Sequence, residues 1–408
     1  MIHVPFEELA VMQREFDRHA TRRLPVTFQL KRQKMLSSPH AFLRGSAPLF
    51  YELLRRRPDL RAPLPGRGWI DGDMHLENFG AFRTDDGRVV FDLNDFDEAI
   101  PSAPWSDDLL RLAASCFLSG GFTGLAGSHM VELVETLVEA HSRAVFSKTA
   151  PKPPPLPRPL AFLLDRAQER SKRRMLDGRA PLVKGARHFQ IGEKYLPLLP
   201  PAKRATPQLL AHYAERLGGA CPVHLVKFSL EDAAQRIAGT GSLGVTRIAA
   251  LVKSEERQFL YDIKEARPAA TLRAAEPEST HALDLAEIKT DAERVVAGAH
   301  AMLAATPRRQ RALWSEQLRL SFIARQFSPS EDKLSLETLE PGELPKIVTT
   351  LGHLLGRAHR RAASDIPRLA WNEGEQRGLV RRAGELTALI EGAYLASAFL
   401  ERGERKAK

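Results

Sequence analysis

The sequence is poor in cysteine: Cys116 and Cys221 are the whole complement of 408 residues. Two thiols build no disulfide framework, and neither stands in a CxxC or Cys/His spacing. Disulfide scaffolds and the common zinc modules are thereby excluded, and a reducing compartment is expected. Also missing is any apolar run of about eighteen residues, the length that a bilayer crossing demands. Met1 to Arg23 carries charges where a secretory leader needs an apolar core, so the expected location is the cytoplasm, with no membrane partner. The net charge is +10, yet long blocks of one sign are absent. Basic residues come in short clusters such as Arg55 to Arg57 and Lys172 to Arg174, the pattern of solvated faces, so nucleic acid is not the expected partner. No internal repeat is visible. What is present is ordinary for a folded enzyme or binding protein: 43% hydrophobic and 27% charged residues, over a length of two to three domain equivalents.

Residues 1 to 60 read as helices broken at Ser38-Pro39. From Gly68 to Asp97 the apolar runs Trp69-Ile70 and Val89-Val90-Phe91 flank turn-rich sequence, which predicts strands around a functional loop. Helical spacing returns at Leu109, Leu112, Ala113 and Cys116, and again at Val134, Leu137, Val138 and His141. Pro151, Pro153, Pro154, Pro155, Pro157 and Pro159 predict a stiff connector, followed by a basic, mixed segment to residue 215 without a readable motif. From Ala234 to Lys264 the pattern is β. Phe259, Tyr261 and Ile263 alternate with Leu260, Asp262 and Lys264, so Lys264 projects from the face opposite the apolar one. Helical stripes then dominate, among them Ile347, Leu351, Leu354, Leu355 and Ala358.

The densest polar cluster is Asp71-Gly72-Asp73-Met74-His75-Leu76-Glu77-Asn78, followed past a strand by Asp95-Phe96-Asp97. An amide five residues after Asp73 and a second carboxylate at a strand end can meet around one magnesium ion while Asp73 faces a substrate hydroxyl. The plain alternative is a pair of polar turns, with Asp92 and Asn94 as turn formers. An EF-hand over Asp92 to Ala103 is excluded, because Phe96, Asp97 and Ala103 occupy positions that need an oxygen ligand, a glycine and a glutamate. The second cluster is Gly239-Thr240-Gly241-Ser242-Leu243-Gly244. A dinucleotide fold needs a helix directly after such glycines, whereas Val245 to Val252 looks strand-like, so a hairpin lid over phosphates fits better. Lys264 on the next strand would neutralise the phosphates; an ordinary glycine-rich turn and a solvated lysine are the alternative. Glu293, with Glu287 and Asp291 as competitors, is the expected carboxylate partner of Lys264.

The stretches GDMHLENFG, FDLNDFDEA, DLLRLAAS, GTGSLG, IKEARP and SPHAFLRG, with Gly356 to His359, resemble an uncharacterised bacterial family, a domain of unknown function related to protein-kinase-like and aminoglycoside-phosphotransferase-like proteins. That resemblance implies an α+β, two-lobed protein-kinase-like fold. It implies Asp73 as catalytic-loop aspartate, Asn78 and Asp95 as magnesium ligands with Asp92 and Asp97 as rivals, Lys264 as phosphate lysine, Glu293 as its partner and Asp108 as a structural aspartate. His75 either orients the loop or is simply packed. ATP and Mg2+ are the implied cofactors, and a phosphotransferase acting on an unread hydroxyl acceptor is the implied function. A pseudokinase or nucleotide-binding scaffold and an AMP-transferring enzyme are the alternatives. Two departures stand out: Asp71 replaces the histidine that kinases carry, and Asp97 replaces the last glycine of DFG. Because the catalytic loop precedes the glycine loop, the fold is expected to be circularly permuted. Residues 1–150 and 311–408 would build the helical lobe, 151–215 the connector and insertion, and 216–310 the β-lobe.

Overall fold

Six antiparallel strands form the largest sheet, in the order Arg311–Ser315, Leu320–Gln326, Arg257–Glu265, Arg247–Ser254, Ser229–Arg236 and Tyr195–Pro197. The computed structural model describes residues 5–61, 64–84, 86–147, 154–307, 309–336 and 339–406; Pro151 and Pro153 of the expected connector lie outside them. The alternation predicted for Phe259 to Lys264 places Tyr261 and Ile263 in a core with Ile248, Phe322 and the helix Pro200–Leu217. Leu260 packs on the other face with Phe189, Tyr195 and Phe327. The chain is thus a mixed α+β molecule with antiparallel sheets, its largest sheet buried on both sides.

Two expected boundaries move. Strands Arg311–Ser315 and Leu320–Gln326 carry the sheet past residue 310, where helical sequence was expected to begin. The segment 151–215 is not a detached insertion, because Tyr195–Pro197 pairs at the sheet's edge and Pro200–Leu217 covers one face. Local pattern could not show this, since the pairing partners lie far along the chain.

The helical part surrounds the buried helix Trp105–Leu118, which meets Gly127–Phe146 and the long helix Glu373–Lys406. Helix Leu344–Arg361 crosses Gly127–Phe146 at close range: a Cβ at Gly352 or Gly356 would stand 2.5 Å from the carbonyl oxygens of Leu137 or His141. Its Leu351 and Leu355 are fully buried, each contributing about 2 kcal/mol relative to exposure. Ser38 caps the helix Pro39–Gly45 by accepting from the Ala41 amide at 3.0 Å. No helix among the described residues is long and apolar enough to cross a membrane.

Two small sheets frame the loop that matters. Arg67–Ile70 lies between Ala363–Asp365 and Ile100–Pro104, and Phe79–Arg83 lies between Asp332–Lys333 and Val89–Leu93. The polar loop Asp71–Asn78 bridges from the first sheet to the second.

Candidate active site

Three polar residues on one face of helix Trp105–Leu118, spaced i, i+3 and i+7, hold this loop. Asp108 is fully buried; its carboxylate accepts from the amides of Asp71 at 2.8 Å and Gly72 at 2.7 Å. Ser115 Oγ accepts from the Leu76 amide at 3.0 Å. Arg111, also fully buried, donates Nε to Asp73 Oδ1 at 2.8 Å, brings Nη2 to the same oxygen, and donates Nη2 to the Leu43 carbonyl at 2.8 Å. Behind Asp108 runs a buried relay. His359 Nε2 lies 3.0 Å from Asp108 Oδ2, and His141 Nε2 lies 2.9 Å from His359 Nδ1. If His359 donates to the carboxylate, its Nδ1 must accept from His141, which leaves His141 Nδ1 as a bare acceptor; that atom has no partner among the described residues. Burial and then His359 hold His141 well below the usual imidazole range, consistent with a neutral ring.

Gly72 has φ +85°, and a Cβ there would overlap the Glu98 carbonyl, so this turn requires glycine. Asp71 is sealed from solvent. Its Oδ1 accepts from the Asp73 amide at 3.1 Å and from Asn78 Nδ2 at 3.0 Å, while Oδ2 has no partner among the described residues. Burial, then the neighbouring Asp108, push the Asp71 carboxyl well above the ordinary range. Burial likewise lifts Asp73 to about 6, with Arg111 pulling the other way. Both Arg111 donors converge on Oδ1, so Asp73 Oδ2 has no protein partner among the described residues. His75 Nδ1 accepts from the Glu77 amide at 3.2 Å. Burial, then Arg44, drive its imidazole well below the usual range, so it stays neutral.

Among the described residues the Asn78 side chain bonds through its amide nitrogen alone: Nδ2 donates to Asp71, to the Asp73 carbonyl at 3.3 Å and to the Asp95 carbonyl at 3.3 Å. Its oxygen is left as a ligand atom. Asp95, with 44% of its side chain exposed, lies 3.6 Å from Lys264 Nζ, and Asp97 also pairs with that ammonium. Burial opposes ionisation of Asp95, but Lys264 and then Lys333 outweigh it and hold the carboxyl below its ordinary value. Burial, then Asp95, raise Asp97. Asp92 faces elsewhere, 3.9 Å from Arg361, and does not line the cavity described below.

Glu293 is not the partner of Lys264. Its carboxylate accepts from the amides of Lys289 and Thr290, both at 3.0 Å, and closes a capping box on helix Asp291–Met302. The next residue, Arg294, reaches the loop after Asp95 instead, donating to the carbonyls of Asp97 at 2.9 Å and Ala99 at 2.7 Å. Asp97 and Asp95 supply the negative charge that had been expected from the helix.

One cavity of about 520 Å³ is lined by Asp73, His75, Asn78 and Asp95 from the first stretch and by Gly239 through Ser242 from the second. Leu243 is buried beneath the glycine loop. Gly244, at φ +94°, seats against the Ala20 carbonyl so tightly that a Cβ would overlap it. Arg267 fastens the same junction, donating to the carbonyls of Ala20 and Gly244, both at 2.6 Å. The helices Phe6–Thr21 and Thr27–Met35 therefore wall the cavity, contributing Phe16, His19 and Lys31. Arg111, Ser115 and Arg294 hold these loops without standing in any of the motifs' expected roles. For the first two the signal lay in the polar spacing of DLLRLAAS within an otherwise apolar helix.

Among the described residues no group of three or more His, Cys, Asp or Glu side chains forms a closed metal cage. Magnesium asks for less, one or two carboxylates beside phosphate oxygens, and an exposed Asp95 carboxylate with the unused Asn78 oxygen suits it. No curated protein and no solved structure matches the chain. A family model described as "Uncharacterized protein conserved in bacteria (DUF2252)" matches residues 23–395. That span takes in both loops and the helix Trp105–Leu118 that holds the first of them, and the chain belongs to the DUF2252 family.

Proposed function

We propose that this protein is an ATP- and magnesium-dependent phosphotransferase of two-lobed, kinase-like build, its chain circularly permuted. One observation carries the reading: Lys264, from the sheet that bears the glycine loop, lies 3.6 Å from Asp95, beside a cavity that Asp73, Asn78 and the loop glycines share. Phosphoryl transfer depends on positioning and charge neutralisation, and each part has a residue here. Asp73 Oδ2 accepts the proton of the acceptor hydroxyl while Arg111 fixes the carboxylate through Oδ1, as a positioning residue. Asn78 and Asp95 would hold magnesium, which when bound neutralises charge on the phosphate oxygens. The glycine loop brings backbone amides to the phosphates, and Lys264 adds a cation. The permuted order is supported by the packing of helix Phe6–Thr21 on helix Glu373–Lys406, which joins the first and last helices in one lobe. An acceptor of small-molecule size fits a cavity walled by Phe16, Ala47, Pro48 and Leu272.

Calorimetry with magnesium and a non-hydrolysable ATP analogue, followed by ADP-release assays over a panel of small hydroxyl acceptors, tests the reading. Asp73→Asn should abolish turnover and spare nucleotide binding, and Asp95→Asn should remove the magnesium dependence of binding. Full activity in Asp73→Asn would sink the assignment of the base. Binding without ADP release over the panel would favour a nucleotide-binding scaffold, and an acceptor gaining AMP by intact mass would identify AMP transfer.

A further inference from the structure

A larger cavity, about 860 Å³, opens at the stem of the glycine loop. Its walls are the helices Arg158–Glu169 and Lys172–Arg179, the stem residues Arg236 to Ala238, and the segment Ser328 to Glu331 that leaves the sheet. Six cations line it, Arg166, Arg170, Arg174, Arg179, Lys194 and Arg236, against the two carboxylates of Glu169 and Glu331.

Internal pairing accounts for half of this charge. Arg166 and Arg170 share Asp332 at 2.7 and 2.9 Å, and Arg236 binds Asp262 at 2.7 Å. Glu331 is itself committed to Arg325 at 3.2 Å. Among the described residues no carboxylate lies within ion-pair distance of Arg174, Arg179 or Lys194. Arg179 and Arg236 both lie over the Phe327 ring, 4.4 and 4.7 Å from its centre, which fixes their guanidinium groups at the wall. Fixed arginine forks beside unneutralised cations match the geometry and charge of phosphate oxygens, and the volume is that of a small-molecule site.

We infer that this cavity is a second binding site, for a phosphate-bearing small molecule, and that its occupancy sets the position of the glycine loop. The coupling is physical. Arg236 to Ala238 continue directly into Gly239 to Ser242, which line the first cavity. Asp262, which would share Arg236 with a bound anion, is also held by Arg247 Nε at 2.9 Å and stands two residues before Lys264 on the same strand face. An anion on the cavity side of Arg236 gives this residue a second partner while Arg247 stays on Asp262, so the stem of the glycine loop is held from both sides.

Inorganic pyrophosphate, titrated without magnesium into the full chain at low and moderate salt, is the probe. Wild type should bind, and Arg174→Glu combined with Arg179→Glu should weaken binding by about tenfold or more. Asp95→Asn should leave it unchanged, which keeps this test separate from that of the phosphotransferase reading. Arg174→Glu alone, at an exposed position, should weaken binding in the same direction, with a melting curve as the control for folding. Hydrogen exchange at residues 236–244 should slow on addition of pyrophosphate. A parallel titration with the ATP analogue, also without magnesium, separates a nucleotide's phosphates from free phosphate as the source. Binding lost in Lys264→Met but kept in the double variant would place the anion in the first cavity and overturn the inference. So would binding of an oligonucleotide with no response to pyrophosphate.

Discussion

Asp73 draws its chemistry from opposed neighbours: burial favours its neutral form, and the guanidinium of Arg111 favours its charged one. With the carboxyl at about 6, the proposed base is ionised above that pH and protonated below it, so in the proposed phosphotransferase kcat/KM should fall as pH drops through about 6. Arg111→Met removes the opposing charge, so the acid limb should move to higher pH while the melting temperature drops. Glu98, lifted by burial to about 7, lines the same cavity and is the competing source of such a limb. Glu98→Gln should therefore leave the limb near 6 in place; a limb that vanishes in Glu98→Gln and ignores Arg111→Met would detach it from Asp73. Asp108 bears on folding rather than on the proton. Asp108→Ala strips acceptors from two buried amides and from His359, at about 1–3 kcal/mol for each group left unpaired. Urea denaturation should register a loss of about 4 kcal/mol, and a loss under 1 kcal/mol would mean that the loop finds other partners.

Among the elements, the glycine hairpin and the helix after Lys264 make an instructive contrast. The hairpin was legible because strand-like sequence beside Gly239 to Gly244 is a local pattern; strand Arg247–Ser254 overlaps the expected Val245 to Val252, whereas the preceding strand, Ser229–Arg236, begins well before the expected start at Ala234. Glu293 was misread as the lysine's partner although Thr290-Asp291-Ala292-Glu293 carries the S/T-x-x-E pattern of a capping box, an equally local signal. Its carboxylate is taken up by amides of its own helix terminus, and Asp97 lies close enough to Lys264 to serve in its place. What seats the hairpin was not legible, because Gly244 meets Ala20 from the far end of the sequence. Gly244→Ala puts a Cβ into that carbonyl at a positive φ, and both effects oppose the native loop. The variant should lose about 2 kcal/mol of stability and bind the ATP analogue more weakly, read by calorimetry and thermal melting. Unchanged affinity would show that the junction with the N-terminal helix does not position the loop.

For the whole molecule, the decisive feature is that stretches well over a hundred residues apart converge on one cavity. Hydrogen exchange reads this directly. Adding magnesium and the ATP analogue should slow exchange at residues 71–78, 94–98 and 239–246 together, and protection confined to one of these stretches would mean that they do not serve one ligand. The sheet's reach past residue 310 and the use of residues 195–217 to complete it belong to this scale too, since both depend on pairing and packing between distant segments.

The sequence by itself determined the chemistry-bearing residue types, the strand and helix periods, and the conformational freedom that glycine supplies at Gly72 and Gly244, because each is a property of neighbours along the chain. Only the tertiary structure decided which carboxylates face Lys264, that Arg111 grips one oxygen of Asp73 and leaves the other free, and that a basic segment with no motif walls a second cavity. Burial and Coulomb interaction act through space, and a charge's effect depends on distance and solvent exclusion that spacing along the chain does not encode.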